Sequence, residues 1–487
     1  MGRRLVDNKR TSGKRATAVK LHQPIVALLL LAAISGCASL RTTDPYQPIV
    51  SDASRLPMMP AAGGELTDSI KGPLTLARCI EIALTNNPDI RVGRWDIESA
   101  RAERDVVLAQ GLPNIRGVGS YERYQDDQRL VSPSKVGVPN IALTDEILAA
   151  NVVISMPLFT GGRIINGIRA AELLRRAAEH RLVRTKSDLV FNVSSTFYAI
   201  LGQRRVIESL EFSQRALEEH RKRVADLMAV QKAAKVDLLR TEVRLASIAQ
   251  TLLLEKGVLE IQKRLLANLL GIAQEENLLS IEGELLVAEV PVDLHKSLEE
   301  AYIQRDDYLA AKATVEALAR RVDAARAERW PVVSLEGSYG GRWVAGAYTR
   351  PTGATLSEDV GSARVTVNVP VFEGGRINAE IHRERARLAA AQETLRKLEL
   401  QIRLEVQTAV VNVTSNRERV RATEKAIEQG RESLRIEREK YDLGKGSITD
   451  VLDAQAALLE AETDYYRALV DYNTSVAQLR VAVGENA

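Results

Sequence analysis

Aromatic side chains and cysteine are scarce in this chain. Only 4% of its 487 residues are Phe, Trp or Tyr, and the two cysteines are Cys37 and Cys79. A thick core filled by aromatic rings is therefore not expected, and neither is a framework of disulfides. The abundant Ala, Leu, Glu and Arg residues favour long helices that pack side by side.

Proline is missing from two very long stretches. None occurs between Pro157 and Pro291, and none follows Pro370. Since proline inside a helix removes a hydrogen bond and causes a clash, both stretches can hold unusually long helices. The first could run from Gly162 to about Val230, which is roughly 100 Å at ~1.5 Å per residue.

Features of catalytic or nucleic-acid-binding sites are also missing. The five histidines show no metal-ligand spacing, and the Gly-Lys-Gly-Ser at 444–447 lacks the spacing and the preceding strand of a phosphate loop. The net charge of +3 includes +6 from residues 1–23, so the remainder carries 3 − 6 = −3. We therefore predict that the protein is not an enzyme, needs no metal or cofactor, and does not bind nucleic acid.

The N-terminus has the pattern of a secretory signal. Basic residues precede the apolar run 25–34, which is too short to span a bilayer as a helix. The run ends in Ile-Ser-Gly-Cys at 34–37, which resembles a bacterial lipoprotein cleavage site. We predict a signal peptide at 1–36, a covalent lipid on Cys37 and a lipidated linker at 37–72; the alternative is an ordinary signal peptide with an incidental cysteine.

One motif occurs twice. Pro157-Leu-Phe-Thr-Gly-Gly-Arg-Ile returns as Pro370-Val-Phe-Glu-Gly-Gly-Arg-Ile, and 370 − 157 = 213. Each copy follows an alternating run and precedes a long helical pattern, so each predicts a junction between a strand and a helix. The residues that we expect to form the two junctions are Pro157, Gly161, Gly162, Pro370, Gly374 and Gly375.

The repeated motif predicts a tandem repeat. The first structural repeat covers 73–275, with a β-hairpin at 114–158 and a long helical hairpin at 162–270. A connector at 276–292 leads to the second structural repeat, 293–487, with a β-hairpin at 332–371 and a long helical hairpin at 375–483. The return helix is shorter than the outgoing one, and the difference is about the length of the helix that precedes the strands, 88–110. We therefore expect the return helix and this preceding helix to stack end to end.

The return helices carry a sustained heptad pattern. Apolar residues recur every seventh position from Leu238 to Leu266, and from Val451 to Leu479, where small residues follow three positions later. This pattern predicts close packing of helices by knobs into holes.

The strands alternate between apolar and polar residues. Val365, Val367 and Val369 fall on one face, with polar residues between them. A small soluble sheet with one face on a core would explain this, but tyrosines and tryptophan near the strand ends fit a membrane barrel with interfacial rings. Four strands are too few to close a barrel, since about eight is the minimum, so oligomerisation must supply the others.

Together, the signal, the repeated Pro-[Leu/Val]-Phe-x-Gly-Gly-Arg, the heptads and the Asp-Val-Leu-Asp-Ala at 450–454 resemble the outer-membrane efflux protein family, the TolC-like channels. The resemblance implies an α+β membrane protein that forms a homotrimer, with one 12-stranded β-barrel continued by a periplasmic tunnel of coiled-coil helices. It also implies a place in the outer membrane and, as partners, a periplasmic adaptor and an inner-membrane pump.

The candidate functional residues lie beside the two helix reversals. Asp450 and Asp453 share one helix face, and threefold symmetry would make them acidic rings at the periplasmic aperture, with Asp237 at the corresponding place in the first copy. The alternative is a solvated helix start, where acidic residues also suit the helix dipole. The resemblance implies that the two reversals form the periplasmic entrance and contact the adaptor, and the residues expected at these tips are Tyr441, Gly444, Lys445, Gly446 and Lys232.

The sequence thus predicts a lipid-anchored exit duct that passively conducts small molecules or ions. Two alternatives remain: a channel for type I protein secretion, and a periplasmic coiled-coil structural lipoprotein without a pore. The second does not explain the paired strands or their repeated exit motif.

Overall fold

The computed structural model describes residues 73–129, 143–231, 233–272, 280–345, 348–349 and 357–485. The predicted signal peptide, Cys37, the linker up to residue 72 and Lys232 lie outside the described residues. None of the helices in the described part of the chain has the length and apolar character needed to cross a membrane.

The two halves of the chain contain the same elements in the same order. The first half has α1 Leu76–Asn86, α2 Pro88–Ala109, β1 Asn114–Arg129, β2 Leu143–Phe159, α3 Arg163–Ala229 and α4 Lys235–Leu269. The second half has α5 Leu294–Gln304, α6 Asp306–Ala327, β3 Val332–Val344, β4 Tyr348–Thr349, β5 Ser357–Asn368, α7 Arg376–Asp442 and α8 Ile448–Val483. Helices before the strands are offset by 294 − 76 = 218 positions, and helices after them begin 376 − 163 = 213 positions apart. The second hairpin is therefore five residues shorter, as its sequence predicts.

Two details of the strands differ from the sequence prediction. The first hairpin, expected over 114–158, continues to Phe159, because a register irregularity beside Pro157 accommodates a residue that cannot donate to the ladder. The counterpart of β2, β5, ends at Asn368, before Pro370. In addition, the two-residue strand β4 pairs with the outer end of β2, so the sheet has five strands rather than four.

The sheet is antiparallel, in the order β1-β2-β3-β5, so β1 and β5 lie at its edges. Residues directly opposite each other share a face. For example, Val152 lies opposite Gly117 on one side and Tyr339 on the other. This face carries exposed large apolar side chains, namely Ile115, Tyr121, Leu148, Val152, Ile154, Leu335, Tyr339, Trp343, Val365 and Val367.

The opposite face of the sheet is mostly polar. Glu336 lies opposite Arg364, and the hydroxyls of Ser338 and Ser362 are 2.8 Å apart. At the outer end, Arg342 donates to Glu358 at 2.8 Å, and Glu358 is buried. The predicted alternation is therefore present on neighbouring strands in a common register.

The helices form a layer around α3. On α3 pack α2 and α4 of the first half and α6 and α8 of the second, and α7 packs on α6 and α8. The end of α4 abuts the start of α2, where Asn87 Nδ2 donates to Leu269 O at 2.9 Å. The end of α8 abuts the start of α6, where Arg305 Nη1 donates to Ala482 O at 3.3 Å. The expected end-to-end stacking is therefore observed in both halves.

The heptad positions lie between the packed helices. Leu252 and Leu266 are buried on α4, and Val451, Tyr472 and Leu479 are buried on α8. Of the small residues three positions later, Ala468 is fully buried. Close helix packing explains why these residues are buried, because a small residue lets a neighbouring backbone approach.

Candidate functional site

Both strand–helix junctions contain a pair of glycines in the left-handed conformation. The φ angles are 62° and 90° at Gly161 and Gly162, and 59° and 87° at Gly374 and Gly375. Gly162 and Gly375 are the N-caps of the two 67-residue helices. Side chains rarely adopt these angles, so glycine is required by the turn itself.

The surroundings of the two junctions differ. A Cβ on Gly161 would lie 2.5 Å from Trp330 Cβ and 2.7 Å from Ala327 O. A Cβ on Gly374 would meet no atom of the described residues within 4 Å, its chain neighbours aside, and Phe372 is 88% exposed. The first junction is thus packed against the base of β3, whereas the second lies uncovered at the edge of the chain. Pro157 lies within β2, opposite Ser334, and Pro370 lies just past the end of β5.

The helix reversal of the second half is closed by a glycine turn. Gly444 has a φ of 69°, and the N–H groups of Lys445 and Gly446 both donate to Lys440 O, at 2.8 and 3.1 Å. These bonds satisfy a carbonyl that the helix end leaves free. The same position of the first half, 444 − 213 = 231, is Gln231, which has a φ of 58°. The sequence shows no glycine at this tip, and the structure shows that Gln231 adopts the left-handed conformation instead.

Two of the three predicted aperture aspartates occupy equivalent positions. Asp450 Oδ2 accepts from Ser447 N at 3.1 Å, while Asp450 N donates to Ser447 Oγ at 3.2 Å. Asp237 Oδ2 accepts from Ala234 N at 3.3 Å. Each therefore caps the start of its return helix, and the hydrogen bonds from Ser447 lower the pKa of Asp450.

Asp453 is exposed one turn further along α8. The residue at its position in the first half, 453 − 213 = 240, is Arg240, whose Nη1 donates to Thr449 Oγ1 at 3.0 Å. This bond links α4 to α8 near the two reversals. The exposed carboxylate of Asp453 and the guanidinium of Arg240 thus give the tips different charges.

A second link joins α3 to α7 near the same reversals. Arg223 Nη2 lies 3.2 Å from Asp442 Oδ2, and the rings of His220 and Tyr441 are 5.5 Å apart between centroids. Burial raises the pKa of Tyr441 and lowers that of His220. The sequence identifies Tyr441 as a tip residue and Arg240 as the residue that stands in place of the second aspartate in the first half. His220 and Arg223 were not identified, because their partners lie on the other half.

A buried arginine joins the stacked helices of the second half. Arg305 is 1% exposed; it donates to Asp307 through Nε at 3.0 Å and Nη2 at 2.6 Å, and to Glu405 Oε2 at 2.7 Å. Its counterpart in the first half, 305 − 218 = 87, is the neutral Asn87. Only an alignment of the two halves would have singled out this position.

No group of three or more His, Cys, Asp or Glu side chains that could hold a metal occurs among the described residues. Cys79 is buried, and burial raises its pKa to about 11, so its thiol is protonated at neutral pH.

A sheet with one apolar and one polar face, continued by packed helices of 67 residues, defines the TolC-like class of outer-membrane channel folds. The chain belongs to the outer membrane efflux protein family, whose family model matches residues 79–272 and 297–485. It is therefore an outer-membrane protein, of a family of channels rather than enzymes.

Relatives and solved structures agree with this assignment. The chain is 23% identical to the toluene efflux pump outer membrane protein TtgI of Pseudomonas putida, over 95% of this chain and 97% of the relative. It is 22% identical to the outer membrane protein TolC of Vibrio cholerae, over 87% and 93% of the two chains. The Campylobacter jejuni CmeC outer membrane channel superposes with a TM-score of 0.73 at 18% identity, over 84% of this chain and 85% of that one. The outer-membrane channel OprN gives 0.69 at 22% identity, over 84% and 89%.

Proposed function

We propose that three copies of this chain form the outer-membrane exit duct of a tripartite efflux system, which passively conducts small molecules or ions delivered by a periplasmic adaptor and an inner-membrane pump. The structure of the sheet is the main support for this proposal. One face is apolar and exposed, the other is polar, and within the described residues β1 and β5 each have one unpaired edge. Since open sheet edges are not tolerated in lipid, the sheet must be closed by other strands.

Three copies supply enough strands for closure. Each copy contributes β1, β2, β3 and β5 along the main path of the sheet, so three copies give 3 × 4 = 12 strands. A barrel of about eight strands is filled by its own side chains, and a larger one leaves a channel. The apolar face then meets lipid, and the polar face, with Arg116, Glu336 and Arg364, lines a water-filled lumen.

The exposed aromatic residues fit this orientation. Phe159 and Trp330 lie at the helix-proximal end of the sheet, whereas Tyr121 and Trp343 both lie opposite Leu148, towards the other end. Such residues prefer the two membrane–water interfaces. We place the helices in the periplasm, where the two reversals form the tips.

The tips form the periplasmic aperture and the adaptor contact. Threefold symmetry places three copies of Asp453 around one axis, and the exposed carboxylates favour cations there. Asp450 and Asp237 lie nearby, although each carboxylate also caps a helix. We assign adaptor binding to the turn formed by Tyr441, Gly444, Lys445 and Gly446 and to Lys232 of the other tip.

The motive force belongs to the pump, because the sequence has no nucleotide-binding motif. The lipid on Cys37 adds a membrane anchor but takes no part in conduction. Neither a metal nor a cofactor is required for passive transport through a duct.

The proposal is tested by native mass measurement of the detergent-extracted protein, followed by complementation of a strain without its own outer-membrane channel, with and without a cognate adaptor and pump. We expect the mass of three chains, and resistance to small toxic molecules only when all three components are present. Secretion of a polypeptide without such resistance would instead indicate protein export. A monomer with no effect on resistance or secretion would reject the duct.

A further inference from the structure

A cavity of about 640 Å³ lies among α2, α3 and α6, near the helix ends that join the sheet. Its volume is within the range of small-molecule sites, about 300–1,000 Å³. Six charged side chains line it, namely Arg104 of α2, Arg169, Glu172 and Arg176 of α3, and Glu316 and Arg320 of α6. Four arginines against two glutamates leave a surplus of 4 − 2 = 2 positive charges. We call this cavity the arginine pocket.

The carboxylate of Glu172 is shared among three arginines. It lies 2.8 Å from Arg175, 3.6 Å from Arg104 and 3.8 Å from Arg176. Arg169 is exposed and has no ion-pair partner among the described residues. One carboxylate cannot satisfy the guanidinium groups around it, because each of them carries five N–H donors.

The other ion pairs of the pocket use acidic residues that do not line it. Arg104 Nη1 lies 2.8 Å from Asp105 Oδ1, and Arg320 Nη1 lies 3.6 Å from Asp323 Oδ2. Glu316 has no ion-pair partner in the part of the chain that the structure describes. Since each of these pairs occupies only part of a guanidinium group, N–H donors remain for an anion.

Packing of the helices does not account for the arginines. The second half repeats the pair of helices, because α6 packs on α7 as α2 packs on α3. The offsets of 218 and 213 convert Arg104, Arg169 and Arg176 into Val322, His382 and Ala389. The same helix pair therefore forms without an arginine at any of these three positions.

The pocket lies close to the helix-proximal end of the sheet. Arg104 is 109 − 104 = 5 residues before the end of α2, Arg320 is 327 − 320 = 7 before the end of α6, and Arg169 is 169 − 163 = 6 after the start of α3. These distances are roughly 8–11 Å at ~1.5 Å per residue. Lipid headgroups form a layer of about 5–8 Å on each side of the hydrocarbon core. Side chains of α3 lean towards its N-terminus, at the sheet, which brings Arg169 to the level of the headgroups.

The pocket and the connector lie on the same side of α3. Arg204 follows Arg176 by 204 − 176 = 28 residues, or four heptads, so the two share one face of the packed helix. Arg204 Nη1 donates to Ile281 O of the connector at 2.6 Å. A segment that covers one side of a helix layer lies outside a tube formed by that layer, because the lumen stays open. The arginine pocket therefore faces outwards, below the apolar face of the sheet.

We propose that the arginine pocket binds the phosphate group of an anionic phospholipid in the periplasmic leaflet of the outer membrane. The planar fork of arginine matches phosphate oxygens, and basic pockets beside a membrane bind anionic headgroups. Ile168 and Leu173 also line the pocket and offer apolar surface to the glycerol and the first chain carbons. Inorganic phosphate has the same charged oxygens but lacks the apolar part. The inference rests on the proposed function for the placement of the sheet in the membrane.

The test is native mass spectrometry of the full-length protein in detergent, titrated with phosphatidylglycerol. The test variant is Arg169→Gln/Arg176→Gln. The matched control, Arg215→Gln/Lys222→Gln, removes two exposed positive charges at the same spacing on α3, 215 − 169 = 46 residues further from the sheet.

We expect one tightly bound lipid per chain in the wild type and in the control. Binding should be about 30-fold weaker in the test variant, because two basic contacts are lost. Arg169→Lys/Arg176→Lys keeps the charge without the planar fork, and its affinity should fall between those of the wild type and the test variant. Equal affinity in the wild type and all three variants would overturn the proposal.

Two further titrations identify the source of the phosphate. The wild type should bind phosphatidylglycerol more tightly than it binds either inorganic phosphate or phosphatidylcholine, whose headgroup has no net charge. Inorganic phosphate that binds as tightly as phosphatidylglycerol would assign the pocket to a free anion. Equal binding of the two lipids would show that the net negative charge is not recognised. Either result would overturn the anionic lipid as the ligand.

The same spectra separate this inference from the proposed duct. Trimers that bind phosphatidylglycerol equally in the test variant and the control would overturn the lipid site and leave the duct intact. Monomers would reject the duct, and with it the membrane placement on which the lipid site rests.

Discussion

At the scale of single residues, the two halves differ most where their stacked helices meet. We call the contact between the stacked helices of one half its joint. The joint of the first half contains the neutral amide of Asn87, whereas that of the second half contains the guanidinium of Arg305, which is hydrogen-bonded to two carboxylates. Burial alone would lower the pKa of Arg305, but Asp307 and Glu405 outweigh burial and keep it charged. The joint of the second half therefore depends on charge.

Removal of Arg305 should weaken the fold. Arg305→Met leaves Asp307 and Glu405 near each other without their cation and removes the bond to Ala482 O. We expect a loss of about 2–3 kcal/mol, below the range for fully buried pairs because both carboxylates are partly exposed. Thermal denaturation in detergent measures it. The control Arg101→Met removes only an exposed pair with Glu98 and should change stability by less than about 0.5 kcal/mol.

The same joint predicts sensitivity to acid. Burial would raise the pKa of Asp307, but the hydrogen bonds and charge of Arg305 outweigh burial and lower it from 3.8. The ionised carboxylate thus stabilises the fold above its unfolded pKa, and this contribution is lost as pH falls through the lower folded pKa.

Asp307→Asn should therefore destabilise the protein at pH 7. It should also make the free energy of unfolding less dependent on pH in strong acid. Denaturation midpoints measured from pH 7 down to pH 2 would show this. Parallel curves for the wild type and Asp307→Asn would mean that another group sets the acid response.

At the scale of elements, the sequence predicted the long helices, their reversals and the strands, because proline-free heptads and strict alternation are local signals. It placed the end of β2 one residue too early, since an irregular register beside Pro157 is visible only with the partner strand present. It could not predict the links from Arg223 to Asp442 or from Arg240 to Thr449. Both depend on how the two halves pack.

The two tip turns should respond in opposite ways to glycine. Gln231→Gly removes a side chain from a left-handed position and should stabilise the turn, whereas Gly444→Ala places a Cβ in that conformation and should destabilise it. Each effect is about 1 kcal/mol, from the steric cost of the left-handed region. Hydrogen exchange of the tip amides would report both. Equal protection in Gln231→Gly and the wild type would show that this turn carries no strain.

At the scale of the whole molecule, the described part of the chain leaves sheet edges and apolar surfaces uncovered. Within the described residues, the sheet has unpaired edges, Leu400 and Leu404 of α7 are exposed, and a Cβ on Gly374 would lack the neighbours that a Cβ on Gly161 would meet. The alternating pattern around Val365 and Val367 predicted one apolar face, and the register shows that this face extends across four strands. What the sequence could not show is which sheet edges and helix faces the described residues leave uncovered.

The most direct test of the central claim is single-channel conductance in planar bilayers. We compare the wild type with two variants and one control. The double variant Arg223→Ala/Arg240→Ala removes both links between the tips, and Asp453→Asn removes the exposed carboxylate. The control is Asp105→Asn on α2. The account predicts cation-selective pores that conduct more when the links are released, and block by divalent cations from the periplasmic side that weakens in Asp453→Asn only. Block unchanged in Asp453→Asn would reject the acidic ring. Folded trimers that insert into the bilayer but pass no current, even with both links released, would contradict the duct itself.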